Sequence, residues 1–170
     1  MTLPPEIIIT IENIGADEYL AKTMRADGGE ICRNTFHFSP DLLVDLEPQW
    51  MLDKAVPRDA GEATKRGPGD DARAQDQAQK LANYGQRLHG FLFGDGRDWN
   101  AFLHFNDTYR QQARVTLALH QNAAALWRLP WEYVHDGQDF LALHGRFLLS
   151  RTPYGLSKLD PSTVPLPVRV

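Results

Sequence analysis

Leu126-Trp127-Arg128-Leu129-Pro130-Trp131-Glu132-Tyr133-Val134-His135-Asp136-Gly137, continued by Phe140-Leu141-Ala142-Leu143, is the stretch whose reading decides the fold. Two tryptophans, a tyrosine and several aliphatic side chains carry a large apolar load, and Pro130 fixes one backbone angle and removes one donor. A segment of this composition reads as a packed corner. Ahead of it, Arg114-Val115-Thr116-Leu117-Ala118-Leu119-His120 is an apolar, β-prone run. Behind it, Phe140–Leu143 and Arg146–Arg151 also read as strands, with His144-Gly145 as a tight turn between them. The expected order here is strand, short helical corner, turn and C-terminal hairpin.

Working outward towards the N-terminus, Glu6-Ile7-Ile8-Ile9-Thr10-Ile11-Glu12 is rich in β-branched residues and predicts a strand, punctuated by Pro4-Pro5 and Asn13-Ile14-Gly15. Tyr19–Arg25 predicts a second strand with looser alternation. Asp27-Gly28-Gly29-Glu30 has the composition of a hairpin turn into a third strand at Ile31–Phe38. On that third strand Thr35 and His37 share one face and Asn34, Phe36 and Phe38 the other, so one face is expected to be buried and the other wet. Short connections make the three an antiparallel meander.

Ser39-Pro40-Asp41-Leu42 has the chemistry of a helix start, and Leu42, Leu43, Leu46 and Trp50 recur at helical spacing, so a short helix is expected to end near Leu52. From 53 to about 71 the chain turns to Pro, Gly and mixed charge, which reads as an exposed, mobile loop. Lys65-Arg66-Gly67-Pro68-Gly69 lacks the order of a phosphate-binding loop. Ala72 opens the longest helix, where Ala74, Ala78, Leu81, Gly85, Leu88 and Leu92 form the inner stripe and Tyr84 and Phe91 widen it. A glycine in mid-helix costs about 1 kcal/mol against alanine, so Gly85 predicts close approach of another backbone. Phe93-Gly94-Asp95-Gly96 ends this helix, and a further helix runs from Arg97 to about Gln112. The fold class is therefore α+β: a three-stranded antiparallel meander, two to three helices, then a strand, the corner and a hairpin. Residues 1–151 form the expected single domain, and 152–170, with their prolines, read as a linker and the start of a following strand and domain.

With 170 residues, 42% apolar and 24% charged, the chain can bury one sizeable core. A net charge of -4 gives no general attraction to nucleic acid or to anionic membrane. One cysteine excludes an internal disulfide framework and a Cys-x-x-Cys zinc knuckle, which points to the cytoplasm. The N-terminus has no basic region, and the apolar run from Ile7 to Ile11 is too short for a signal peptide or a membrane span.

The order of a strand ending in alternating leucines, then Leu126-x-x-Leu129-Pro130-Trp131-Glu132-Tyr133-Val134-His135-Asp136, then Phe140-Leu141-Ala142-Leu143, then a strand ending in Arg151, resembles the N-terminal half of CHAT domains. These are caspase-like cysteine peptidases often found with tetratricopeptide repeats. The most specific part is Leu129 to Glu132, and the likeness extends over about 81–151. The resemblance implies a larger caspase-like domain whose catalytic His and Cys lie beyond Val170, so that this chain is the scaffold or regulatory partner of a C-terminal peptidase half in the same polypeptide.

The residues themselves offer no catalytic set and imply no cofactor or metal. None of His37, His89, His104, His120, His135 and His144 stands in a His-Glu-x-x-His arrangement or at metal-ligand spacing, and each reads as a surface or corner histidine. Cys32 lies within a strand and reads as a buried structural thiol, and its neighbours do not match the family's catalytic cysteine motif. The residues singled out are Trp127, Leu129, Pro130, Trp131, Glu132 and Asp136, as a structural motif or an interaction corner. Glu132 is expected to bond to backbone or to Arg128, Arg146 or Arg151, and Asp136-Gly137 to form a turn; the competing reading is a carboxylate pair working as acid and base. Three classes thus stand open: the non-catalytic half of a peptidase, an autonomous module binding another protein through the aromatic corner, and a small hydrolase using Glu132, Asp136 and a histidine.

Overall fold

Ile7, Ile9 and Ile11 are almost wholly buried, and the strand that carries them, β1 (Glu6–Asn13), sits at the centre of a five-stranded sheet. The computed structural model describes residues 5–39, 68–94, 96–109, 112–143 and 145–154. In chain order they form β1, β2 (Glu18–Arg25), β3 (Glu30–His37), helix α1 (Pro68–Phe93), helix α2 (Gly96–Tyr109), β4 (Ala113–Leu119), a 3-10 segment (Gln121–Arg128), a single 3-10 turn (Trp131–Tyr133) and β5 (Phe147–Pro153). The class is α+β. The expected helix near 40–52, the expected 53–71 loop as far as 67 and the tail from 155 lie outside the described residues, whereas 68–71, expected in that loop, belong to α1.

β1, β2 and β3 form the antiparallel meander that the turn chemistry predicts. At its second turn Gly28 has φ +89, a conformation an L side chain resists, and Asp27 Oδ1 accepts the Gly29 amide at 2.9 Å. β4 then lies beside β1 in parallel, in the register Ile7 to Val115 and Ile11 to Leu119, and β5 lies parallel beside β4. The sheet is therefore mixed, in the order β3-β2-β1-β4-β5. Parallel neighbours need a crossover between them. α1 and α2 lie on the route from β3 to β4, and the 3-10 elements lie between β4 and β5.

Period-two alternation separates the two faces of the sheet. Tyr19, Ala21, Cys32, Phe36, Val115, Leu117 and Phe147 join the β1 isoleucines in the core. Rings attach the helices to that face: Phe91 of α1 stacks on Phe36 at 4.9 Å, and Phe102 of α2 meets Phe93 at 5.0 Å and Phe147 at 5.2 Å. Each such pair adds about 0.5–1.5 kcal/mol to the burial of its area. The opposite face is more polar, with Lys22 paired to Glu12 at 3.4 Å and Thr116 hydrogen-bonded to Ser150 at 3.2 Å.

Two helix ends and the C-terminal hairpin differ from expectation. α1 begins at Pro68, four residues ahead of Ala72, because a proline in the first turn needs no helical donor and already has helical φ. α2 ends at Tyr109, three residues before Gln112. Among the described residues the expected C-terminal hairpin does not form. Phe140 makes one antiparallel bridge with His135, and Leu143 donates to the Phe140 carbonyl at 2.9 Å, so the run 141–143 closes as a turn with Leu143 exposed. The edge of β4 is taken instead by β5, which inserts Phe147 against the α2 rings and continues through Pro153.

Candidate functional site

Trp131 is the buried centre of the corner. It is 1% exposed, and its indole Nε1–H donates to the Leu126 carbonyl at 3.0 Å, which meets the requirement that a buried indole donor find an acceptor. Leu126, Leu129 and Val134 are buried beside it, and Trp127 and Tyr133 pack on the rim of the same cluster. Pro130 precedes the turn, and its carbonyl accepts the Tyr133 amide at 3.0 Å. The gap left beneath the corner is an apolar cavity of about 10 Å³, lined by Ile9, Phe102, Trp131, Leu141 and Phe147 among others. That volume is at the lower limit for one water and offers no polar partner to hold it.

Arg151 of β5 fastens the corner from the other side. Its Nη1 donates to the carbonyls of Trp127 at 3.2 Å and Leu129 at 3.1 Å, which lie at the end of the 3-10 segment where helical partners run out. Its Nη2 lies 3.6 Å from Glu132 Oε1. Arg151 is thus the arginine partner of Glu132 among the three that were expected. The beginning of the same segment is tied to β1 by a reciprocal pair: Asn122 Oδ1 accepts the Asn13 amide and Asn122 Nδ2 donates to the Asn13 carbonyl, at 3.2 and 2.9 Å.

Asp136 closes its own turn. Oδ1 accepts the amides of Gln138 and Asp139, both at 2.8 Å, as expected for the Asp136-Gly137 turn. Burial pulls this carboxyl up, but the Asp139 and Gln138 amides, with the nearby charges of His89 and His135, outweigh it and hold it below the usual carboxylate range. The 3-10 turn spans only Trp131–Tyr133 and Val134 has already left helical geometry, so Glu132 and Asp136 do not share a helical face. One carboxylate faces Arg151 and the other caps a turn; no acid-base pair is assembled.

The corner rests on α1 at Gly85. The His135 amide donates to the Gly85 carbonyl at 3.1 Å, and a Cβ at position 85 would overlap the Tyr133 carbonyl oxygen and come within 2.6 Å of the His135 Cβ. The close backbone approach expected at this glycine is present. Around it lie three titratable side chains: Tyr84, which the inner stripe of the helix predicts to be buried, and His135 and His89, whose enclosure the sequence reading did not anticipate. His135 is only 8% exposed, and its Nδ1 accepts the Gly137 amide at 2.9 Å. His89 lies between Phe93 at 5.0 Å and Trp99 of α2 at 4.8 Å, and its Nε2 is buried without a hydrogen-bond partner. Burial pushes its imidazole down to about 4, against the pull of Asp136 and with the support of His135. The hydroxyl of Tyr84 is likewise buried and unpartnered, and burial, then the charge of Glu132, pushes it up to about 12. His135 is therefore corrected from a surface or corner group to a buried one, and His89 to a half-buried one whose Nε2 is enclosed. The available signal was spacing: His89 is one helical turn from Gly85, on the face already assigned to a close neighbour.

The remaining candidates lie apart from this junction. His37 and His104 are exposed, His120 stacks on Tyr154 at 3.8 Å, and His144 is outside the described residues. Cys32 is buried on the inner face of β3. Burial pushes its thiol up, and the charges of Asp98 and Glu30 reinforce this. A larger open concavity of about 420 Å³ is lined by Arg33, Asn34, Arg97 and Asp98, where β3 meets α2; Arg33 there is paired with Glu30 at 2.7 Å. Among the described residues no group of three or more His, Cys, Asp or Glu side chains could hold a metal ion, and no helix is long and apolar enough to cross a membrane. A comparison with family models and with curated proteins finds no match to this chain.

Proposed function

We propose that this chain is the N-terminal, non-catalytic part of a CHAT-like, caspase-type peptidase of the cytoplasm, serving as scaffold for a peptidase half that follows in the same polypeptide and supplies a His-Cys dyad. The observation that carries the scaffold reading is Trp131, 1% exposed and hydrogen-bonded through its indole inside the core. A residue held in that way stabilises the domain and is closed to a partner or substrate. Two further facts support the same reading. The carboxylates of the corner serve Arg151 and the Asp136 turn, and burial pushes the single thiol up, away from the thiolate that a nucleophile needs. The peptidase part rests on the likeness of Leu129 to Glu132 and its surroundings to the family.

The competing module that binds another protein through the corner needs its large aromatic exposed. Leu143, 81% exposed at the tip of the corner turn, is the feature that favours it. Thermal denaturation of Trp131→Ala beside the parent separates the two: a lowered melting temperature fits the scaffold, and an unchanged melt with partner binding lost fits the module. A peptide library incubated with the purified chain should stay intact; cleavage abolished by Cys32→Ala would remove the non-catalytic assignment.

A further inference from the structure

We propose that the turn from His135 to Phe140, closed by the Leu141 amide, is latched to α1 only while the His89 imidazole is uncharged and His135 Nδ1 keeps its lone pair for the Gly137 amide, so that mild acid releases this turn while Trp131 and the β1–β2 meander stay in place. Four observations lead there. The latch is small: the His135 amide to the Gly85 carbonyl at 3.1 Å, with the 134–141 segment folded back on itself by the Leu141 amide to the Val134 carbonyl at 2.8 Å. The His89 ring is enclosed by Phe93 and Trp99, and its buried Nε2 faces no acceptor, so a second ring proton there has nothing to bond. The Gly137 amide uses the lone pair of His135 Nδ1 at 2.9 Å; a doubly protonated ring has no lone pair and would set two N–H groups against each other. Finally, the two imidazoles act on each other in the direction of repulsion, so a proton on one opposes a proton on the other.

The groups facing the pair are few. From α1 come His89 itself and Phe93, from α2 the ring of Trp99, and from the corner His135, Asp136 and the ring of Phe140, edge-on to His135 at 4.7 Å; the charges that bear on His89 are those of Asp136 and His135. Asp136 favours the protonated rings, but its Oδ1 already accepts two amides, and burial of His89 outweighs its attraction. The flanks of the corner are secured independently of the pair. Arg151 holds the carbonyls of Trp127 and Leu129, and Phe147 anchors β5 among the α2 rings. Opening can therefore stay local.

Hydrogen exchange, corrected for intrinsic rates, tests this at about pH 7.5 and about pH 5, on either side of the ordinary histidine range. The amides of His135 and Leu141 should lose about tenfold or more in protection at the lower pH, while the amides of the β1–β2 ladder keep theirs. His89→Phe keeps the ring and removes the proton site; His135→Asn keeps an acceptor near the position of Nδ1. The double variant should retain corner protection at about pH 5. Equal loss across corner and sheet in the parent, or corner loss in the double variant matching the parent, overturns the proposal. Should the double variant fail to fold, ring titration of the parent by NMR decides: His89 charging above about pH 6 with corner amides still protected overturns it, and charging that coincides with their loss supports it.

Discussion

Trp131 and Gly85 show how two side chains, one very large and one absent, set the geometry of the corner. Trp131→Ala removes a buried aromatic and strands the Leu126 carbonyl, so a loss of about 3–5 kcal/mol is expected in chemical denaturation, a large part of the stability of a domain this size. Glu132→Gln is expected to differ from the parent by less than about 1 kcal/mol. Its carboxylate is 58% exposed and 3.6 Å from Arg151, which makes it a screened surface pair. That is weaker than its place in the motif suggests. Gly85→Ala acts in the opposite sense to an ordinary helical replacement. Alanine normally gains about 1 kcal/mol over glycine in a helix, whereas here the added methyl meets the Tyr133 carbonyl and the His135 backbone, which cannot withdraw as a flexible side chain would. Net destabilisation of about 1–3 kcal/mol is expected, and a melting temperature at or above that of the parent would contradict the packing described.

At the scale of elements, the 3-10 segment between β4 and the corner is held at both ends by single side chains from distant strands, Asn122 with β1 and Arg151 from β5. Arg151→Met keeps much of the aliphatic stem and removes the donors. It should cost about 1–3 kcal/mol through the two carbonyls left without a charged donor, more than Glu132→Gln, although both touch the same ion pair. Urea titration of the two variants side by side checks the order; equal effects would assign the stabilisation to the ion pair and not to the backbone clasp. The same elements explain why an expected hairpin is a turn and a parallel strand. Phe140-Leu141-Ala142-Leu143 is apolar enough to resemble a strand, yet only Leu141 is buried. Phe147, by contrast, can reach the ring cluster of α2 only if its strand lies along β4.

For the molecule as a whole, the buried imidazole gives stability a defined pH dependence. His89 binds its proton at about 4 when folded and near 6.5, the ordinary value, when unfolded. Between those values the unfolded chain carries a proton that the folded one refuses, so stability is full above about pH 6.5, falls as pH drops towards about 4, and loses nothing further from this group below that. Asp136, held below its usual range, adds a loss at more acidic pH, where the unfolded carboxyl protonates first. The His89 contribution should amount to no more than about 1 kcal/mol per pH unit, since its ring is only half-buried. Melting of the parent and of His89→Phe across this range checks the sign: the two curves should converge above about pH 6.5 in their pH dependence and diverge below it. Parallel curves throughout would show that His89 is neutral in neither state's favour.

Local rules sufficed for the meander, the two helices, the corner and its neighbouring strand, because alternation, turn residues and helical spacing are written within a few positions of one another. They sufficed for Gly85 as well, since an unfavourable residue in a good helix implies a neighbour. The partners were decided by the tertiary structure: that the neighbour is the Tyr133–His135 backbone, that Arg151 serves carbonyls more than Glu132, that β5 runs parallel to β4, and that His135 is buried and the His89 Nε2 enclosed. Each of these depends on contacts between residues far apart in the chain. A polar side chain beside an apolar stripe has the same local pattern whether water or a second element lies over it, and only the packing of that second element determines its charge.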